Sequence, residues 1–273
     1  MALNTYKVLG QSTSGTYIML PIASVSLTSN FATITTGADH GLASGDLFDI
    51  SATNQSVLNV RSVAVAVPTT TTFQFPRTNA NIASSAQTSA FVYGYRNASG
   101  TVITNKEKTN GMATLTSAVA HNLAAGDWIT VGINDTNFDG DAIIFDVPNA
   151  TSFRFVRVGA NVTSAAIAAS TAAVAAQKAI TVYTAPASTQ AVVSTLTVAN
   201  NLTHAGYFSV YVVPAALSAT TPPDRTIVFH RIAVNAGESY NATLGYTLGA
   251  GDRVVVRASH AGMHFNLFGT ELS

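Results

Sequence analysis

The chain has 273 residues, only 10% of them charged, and its 13 Lys and Arg balance 13 Asp and Glu. With no net charge there is no field to recruit nucleic acid or an anionic membrane surface, and the absence of cysteine removes disulfides, thiolate metal sites and cysteine nucleophiles together. A surface this poor in charge departs from what keeps a free monomer in solution, so cover by other subunits is expected.

Residues 1–24 form an N-terminal strand or arm. Thr5-Tyr-Lys-Val-Leu-Gly-Gln-Ser reads as a strand with no partner in what directly follows. No basic segment leads into an apolar one, as a secretory signal would require, and no apolar run approaches the roughly 20 residues of a membrane helix.

The next stretch is written twice. Phe31-Ala-Thr-Ile-Thr and Asp39-His40-Gly41-Leu42-Ala-Ser-Gly45-Asp46 return as Met112-Ala-Thr-Leu-Thr and Ala120-His121-Asn122-Leu123-Ala-Ala-Gly126-Asp127, an offset of 81 from His40 to His121. Pro68, Phe73, Phe75, Arg77 and Asn81 return as Pro148, Phe153, Phe155, Arg157 and Asn161, an offset of 80. A repeat of this length duplicates a folding unit. Repeat one is placed at 25–100 and repeat two at 101–168, and the alternation in Thr72-Phe-Gln-Phe and Ser152-Phe-Arg-Phe-Val-Arg-Val makes them β units. The copies differ where the second has Asn134-Asp-Thr-Asn-Phe-Asp-Gly-Asp and the first Ser51-Ala-Thr-Asn-Gln-Ser-Val.

An Ala-rich segment at 169–179 reads as a linker or one short helix. From 180 to 273 short alternating runs such as Val193–Val198, Tyr207–Val213, Ile227–Val234 and Arg253–Ser259 are separated by Asn-, Pro- and Gly-containing turns, the pattern of an antiparallel, jelly-roll-like β-sandwich. The expected fold is therefore all-β, a C-terminal sandwich completed by the N-terminal strand, with two tandem small β-barrel repeats inserted.

Candidate chemistry is sparse. Leu-x-x-Gly-Asp occurs at Leu42–Asp46, Leu123–Asp127 and Leu248–Asp252, each before a hydrophobic strand, which assigns Asp46, Asp127 and Asp252 to turns. His40 and His121, at equivalent positions, are expected to bond turn backbone. His260 and His264, at spacing four, would share one face of a regular strand, with His230 as a neighbour and a divalent metal as the chemistry such a trio allows. Asn134, Asp135, Asn137, Asp139 and Asp141 gather oxygen ligands, but Gly140 and the missing bidentate Glu break the calcium-loop pattern. Asp135, Asp139, Asp141, His260 and His264 are thus the metal candidates, with no metal and no cofactor as the expectation. No phosphate-cradling loop or nucleophile elbow is present, and no enzyme is expected.

The opening Asn4-Thr-Tyr-Lys-Val-Leu-Gly-Gln-Ser, the segment from Val182-Tyr-Thr-Ala-Pro to Asn200, Gly251-Asp-Arg-Val-Val-Val and the ending Phe265-Asn-Leu-Phe-Gly-Thr-Glu resemble a family of tailed-phage virion structural proteins of the marine and cyanophage type. In that family the opening leads almost directly into the counterpart of the Val182 strand, so the duplicated units look like an insertion. The His-Gly-Leu-x-x-Gly-Asp copies are similar to small β-barrels of phage tail and baseplate proteins. The resemblance implies a non-enzymatic accessory subunit of the tail, neck or baseplate, located in the virion. Its sandwich, 180–273, would anchor to other virion proteins (tail, neck or capsid subunits) and form a homo-oligomer, foremost a trimer, without nucleic acid or membrane partners. The alternatives are a capsid decoration protein, or an adhesion module of a tail fibre or spike that binds a host-surface glycan. Neither family brings catalytic residues.

Overall fold

The computed structural model describes residues 6–13, 16–96, 101–168, 173–177, 179–202, 204–260 and 262–272, with the backbone alone for 16–17 and 93–96. Asn4 and Thr5 of the opening segment, the end of repeat one at 97–100 and residues 169–172 and 178 of the Ala-rich segment lie outside the described residues. Among the described residues the architecture is all-β, apart from short 3-10 turns at Ser56–Leu58 and Asp224–Thr226. The chain divides into two compact units, one made of its two ends and one of the stretch between them.

Strand β1 (Lys7–Thr13) belongs to the first unit. The second unit opens with β2 (Thr16–Thr28), β3 (Phe31–Thr36), β4 (Leu47–Ser51), β5 (Arg61–Val63), β6 (Ala66–Thr69), β7 (Thr72–Pro76), β8 (Ile82–Ala86) and β9 (Phe91–Arg96). The second copy follows as β10 (Thr101–Thr109), β11 (Met112–Ser117), β12 (Trp128–Gly132), β13 (Gly140–Asn149), β14 (Ser152–Val156), β15 (Val162–Ala166) and β16 (Ala173–Gln177). In that copy β10, β11, β14, β13, β12 and β16 pair in a closed ring, a six-stranded barrel. The first copy keeps the order with β2, β3, β7, β6, β5, β4 and β9. Where β13 runs unbroken, β5 and β6 part at Ala64–Val65, whose N–H groups donate to Asp46 O and Gln74 O.

The alternation that marks the repeats is a division between faces. Phe73 and Phe75, and their equivalents Phe153 and Phe155, are fully buried, while the residues between them look outward. Phe48 meets Phe73 and Phe75 edge-on at 4.7 and 5.2 Å between centroids, a geometry that adds electrostatic attraction to burial.

Two boundaries differ from the sequence reading. Repeat one starts at Thr16 and not at 25, because β2 is a 13-residue strand whose first half pairs with β9 and whose second half pairs with β3 and β8. The segment read as a linker or helix contains β16, buried at every residue. It closes the second barrel beside β12 and β10, and its Ala173 and Ala175 pack on Leu47, Val63 and Val65 of the first copy. A strand covered on both faces carries no period-two signal, and small side chains suit the crowding, so alanine's helix preference is overridden.

The first unit is completed by β17 (Ile180–Thr184), β18 (Gln190–Asn200), β19 (Gly206–Val213), β20 (Ile227–Val234), β21 (Ser239–Leu248), β22 (Arg253–Ala258) and β23 (Met263–Leu272). One sheet has the order β1-β23-β18-β21 and the other β17-β22-β19-β20. Counted within this unit alone, that is first-eighth-third-sixth over second-seventh-fourth-fifth, the jelly-roll arrangement. Leu196, Val198, Phe208, Val210, Phe265 and Leu267 fill the space between the sheets. The insertion occupies the connection between the first and second strands of the roll.

Strand β1 is fixed by register and by closeness. It pairs antiparallel with β23 from Lys7↔Gly269 to Thr13↔His264, with a bulge between Val8 and Gly10. Lys7 Nζ donates to Glu271 Oε2 at 2.7 Å, Tyr183 Oη donates to Glu271 Oε1 at 2.9 Å, and the Tyr6 ring stacks on Phe268. The bonds from Lys7 and Tyr183 hold the Glu271 carboxyl below the usual range. At Gly10 a Cβ would stand 2.1 Å from Val182 O in the opposite sheet, so only glycine fits. Gly10→Val is expected to push β1 off β17 at a cost of about 1–3 kcal/mol, as overpacking does. Hydrogen–deuterium exchange should then quicken in β23 and stay unchanged in β10–β14; unaltered exchange in β23 would count against this account.

Candidate functional site

The motif residues are scaffold. Oδ2 of Asp46 accepts Ala43 N–H, Oδ2 of Asp127 accepts Ala124 N–H, each at 2.8 Å, and Oδ2 of Asp252 accepts Gly249 N–H at 2.9 Å. The preceding Gly45, Gly126 and Gly251 have φ of 91, 82 and 79°, the left-handed region that glycine enters freely. Nδ1 of His40 accepts Leu42 N–H at 2.9 Å and Nδ1 of His121 accepts Leu123 N–H at 3.0 Å. Each imidazole stands edge-on to a core ring, Phe73 or Phe153.

The metal candidates do not converge, and among the described residues no three His, Asp or Glu side chains gather around a common point. His260 lies in the turn before β23 and not on it, so spacing four does not give a shared face. Its Nδ1 bonds Ser259 Oγ at 2.7 Å, whereas His264 Nδ1 bonds Thr13 Oγ1 at 3.0 Å. His230 is exposed on β20 in the other sheet. Asp139 accepts Ile133 N–H on Oδ1 and Asp135 N–H on Oδ2, closing its own loop. Asp135 pairs with Lys106 Nζ at 2.7 Å, and Asp141 accepts Thr130 Oγ1 at 2.7 Å and the Arg61 guanidinium.

What these loops build instead is a polar cleft within the inserted unit, about 240 Å³ in volume, where the two copies meet. Arg61, Pro76, Arg77 and Thr78 come from the first copy, and Thr130, Gly132, Asn134, Thr136 and Asp139 from the second. A Cβ on Gly132 would lie 3.2 Å from Val63 Cβ, so the missing side chain lets the copies approach. Asp49 pairs with Arg61 across its hairpin just as Thr130 pairs with Asp141. Arg61 and Asp141 therefore occupy equivalent positions, and the ion pair between them joins the copies. The offset drops from 81 to 80 in the loop that follows β4 and β12, the loop that lines this cleft.

Arg77 and Arg157 repeat each other, yet their surroundings differ. Arg157 Nη2 donates to Phe138 O at 2.9 Å and Asp141 O at 3.3 Å, and its guanidinium sits 5.6 Å from the Phe155 centroid. The first copy's loop takes another path, pinned by Thr53 N–H to Asn59 Oδ1, and the Arg77 side chain makes no hydrogen bond to protein among the described residues, although Nε is buried without an acceptor in both arginines. Sequence reasoning passed over Asp49, Arg61 and Arg77. The available signals were opposite charges at equivalent positions and a repeated arginine beside a diverged loop.

Burial pushes the Asp49 carboxyl up to about 7, with Arg61 opposing and Asp141 adding to the rise. Burial likewise pushes Asp139 up to about 6, against the two N–H groups that favour its anion. Asp135 lies below the usual range, because its bonds from Lys106 and Asn137 outweigh the effect of burial.

No family model matches the chain, and no curated protein sequence does. Solved structures similar to it include infectious bursal disease virus, Gx strain, at 8% identity and TM-score 0.23, covering 94% of this chain and 71% of that one. An Arthrobacter globiformis isomalto-dextranase complexed with panose gives 14% identity and TM-score 0.20, covering 98% of this chain and 39% of that one. An exo-β-1,3-galactanase from Phanerochaete chrysosporium with galactose gives 11% identity and TM-score 0.21, covering 89% and 75%. Likenesses this slight, to viral particles and to glycan-active enzymes alike, carry no argument for either. The tailed-phage resemblance has no family model behind it.

The two raised carboxyls make stability depend on pH. Asp49 and Asp139 hold their protons more tightly folded than at the unfolded value of 3.8, so unfolding releases protons between that value and about 6 to 7. The inserted unit should lose stability as pH rises through this window. Trp128, the sole tryptophan, is buried in the second barrel and reports its melting. The fluorescence midpoint is expected to fall between about pH 5 and pH 8, and Asp49→Asn to flatten the fall. A midpoint that rises over this range would contradict the assignment.

Proposed function

We propose that this chain is a non-enzymatic structural subunit of a virus particle, an accessory protein of a phage tail, neck or baseplate. Its jelly roll anchors and oligomerises, and its two barrels are displayed. The observation that carries the reading is β1: a strand on the far side of the insertion is built into the same sheet as β23, so the barrels form an excursion from a sandwich that stays whole. The motif carboxylates and imidazoles serve turns and loops, as in a scaffold. Jelly rolls recur in viral capsid and lectin domains, an analogy of fold that supports the reading without carrying it.

The sandwich offers neighbours a surface. Tyr6 and Val8, 58% and 46% exposed, lie along the open edge strand β1, and Tyr246 is 38% exposed on the opposite edge strand β21. Open edges are templates for pairing with another chain, and symmetric closure would cover them. The chain should therefore sediment as a closed homo-oligomer, foremost a trimer. Val8→Lys should dissociate it while leaving the Trp128 melting curve in place. A wild-type chain that stays monomeric at tens of micromolar, or an assembly indifferent to Val8→Lys, would refute the proposed anchoring edge.

A further inference from the structure

We propose that the cleft between the two barrel copies binds an acidic sugar, a saccharide unit whose carboxylate is held by the Arg77 guanidinium. The charge around the cleft points to an anion. Arg61 is matched by Asp141, and both oxygens of Asp139 are occupied by backbone N–H groups. Arg77 lines the cleft with no ion-pair partner and no side-chain hydrogen bond to protein among the described residues. The difference between the repeated arginines lies in their outer nitrogens: Arg157 Nη2 donates to Phe138 O and Asp141 O, whereas the Arg77 side chain has no bond to protein among the described residues. The first copy differs because its loop has been rerouted away from the arginine.

The lining selects the class of anion. A guanidinium presents parallel N–H groups that fit one carboxylate in bidentate fashion. Inorganic phosphate would call for further cations or a cradle of backbone N–H groups, and the cleft provides one unmatched cation. Around Arg77 stand the Thr78 and Thr136 hydroxyls and the Asn134 amide, groups that can both donate to and accept from sugar hydroxyls, with the Pro76 ring as an apolar face. Asn134 is held at φ 56°, a left-handed conformation that asparagine tolerates, which turns its amide toward Thr78. A volume of about 240 Å³ accepts one saccharide unit.

Calorimetric titration of the full chain with trigalacturonic acid, maltotriose and inorganic phosphate tests the proposal. Trigalacturonic acid is expected to bind and maltotriose not to bind. Arg77→Ala should weaken the acidic ligand at least about ten-fold, as loss of a charged hydrogen-bonding partner does, and should leave the Trp128 melting curve intact because no protein group loses a partner. Should Arg77→Ala fail to fold, Thr78→Val and Thr136→Val report on the same cleft, each with a smaller loss. Absence of trigalacturonate binding at millimolar concentration, equal binding by the cleft variants, or displacement by equimolar phosphate would overturn it. The site does not rest on the assembly reading: a monomer that binds sinks that reading and keeps this one.

Discussion

The close approach of β1 to β17 at Gly10 is the contact on which the architecture depends. A strand at one end of the chain must reach the sheet formed by the other end, and it does so where a side chain would collide with the Val182 carbonyl. The bulge beside Gly10 and the matching irregularity between Val193 and Thr195 in β18 let the sheet bend at that corner. Gly269 continues the constraint from the neighbouring strand, with no room for a Cβ between Val192 O and the Leu9 side chain. Because β1 is held there, the stretch between Thr13 and Ile180 is an insertion into the jelly roll that contains the two repeats, one of them a closed barrel.

Within that loop, duplication has produced an asymmetric pair. The barrel interiors kept their phenylalanines and their histidine-bonded turns, since both copies must bury the same faces. The surfaces that meet had no such obligation. An identical charge at the positions of Arg61 and Asp141 would repel across the join, whereas opposite charges attract. The same divergence gave one arginine of a repeated pair carbonyl partners for its Nη2 and left the other lining the cleft. The small residues of β16 add an apolar seam with Leu47, Val63 and Val65, so the copies share a boundary and cannot be treated as beads on a string.

Much of the fold was legible in the sequence because its dominant signals are local. Period two in Thr72–Phe75 and Ser152–Val156 reported half-buried strands, and Leu-x-x-Gly-Asp reported turns whose bonds span three residues. The misses have physical causes. Ala173–Gln177 lost its alternation because both of its faces are covered, and the start of β2 was hidden because one long strand serves two sheets. The spacing of His260 and His264 implied a regular strand where a turn intervenes. The cleft escaped because it is made by two copies at once, and no window along one copy contains Arg77 together with Asn134 and Thr136. The diverged loop was visible, but what it does to the arginine is a matter of three-dimensional path.

The pairing of Lys7 with Gly269 also has a consequence in time. During synthesis β1 leaves the ribosome first among these strands, while β23 follows only after both barrels have emerged. The barrels draw on nearby segments and can form early, and the roll must wait. An interrupted chain would carry finished barrels on an unfinished base, with β1 lacking the strand it pairs with. The roll can therefore be completed only once β23 has been made, an order imposed by the pairing alone.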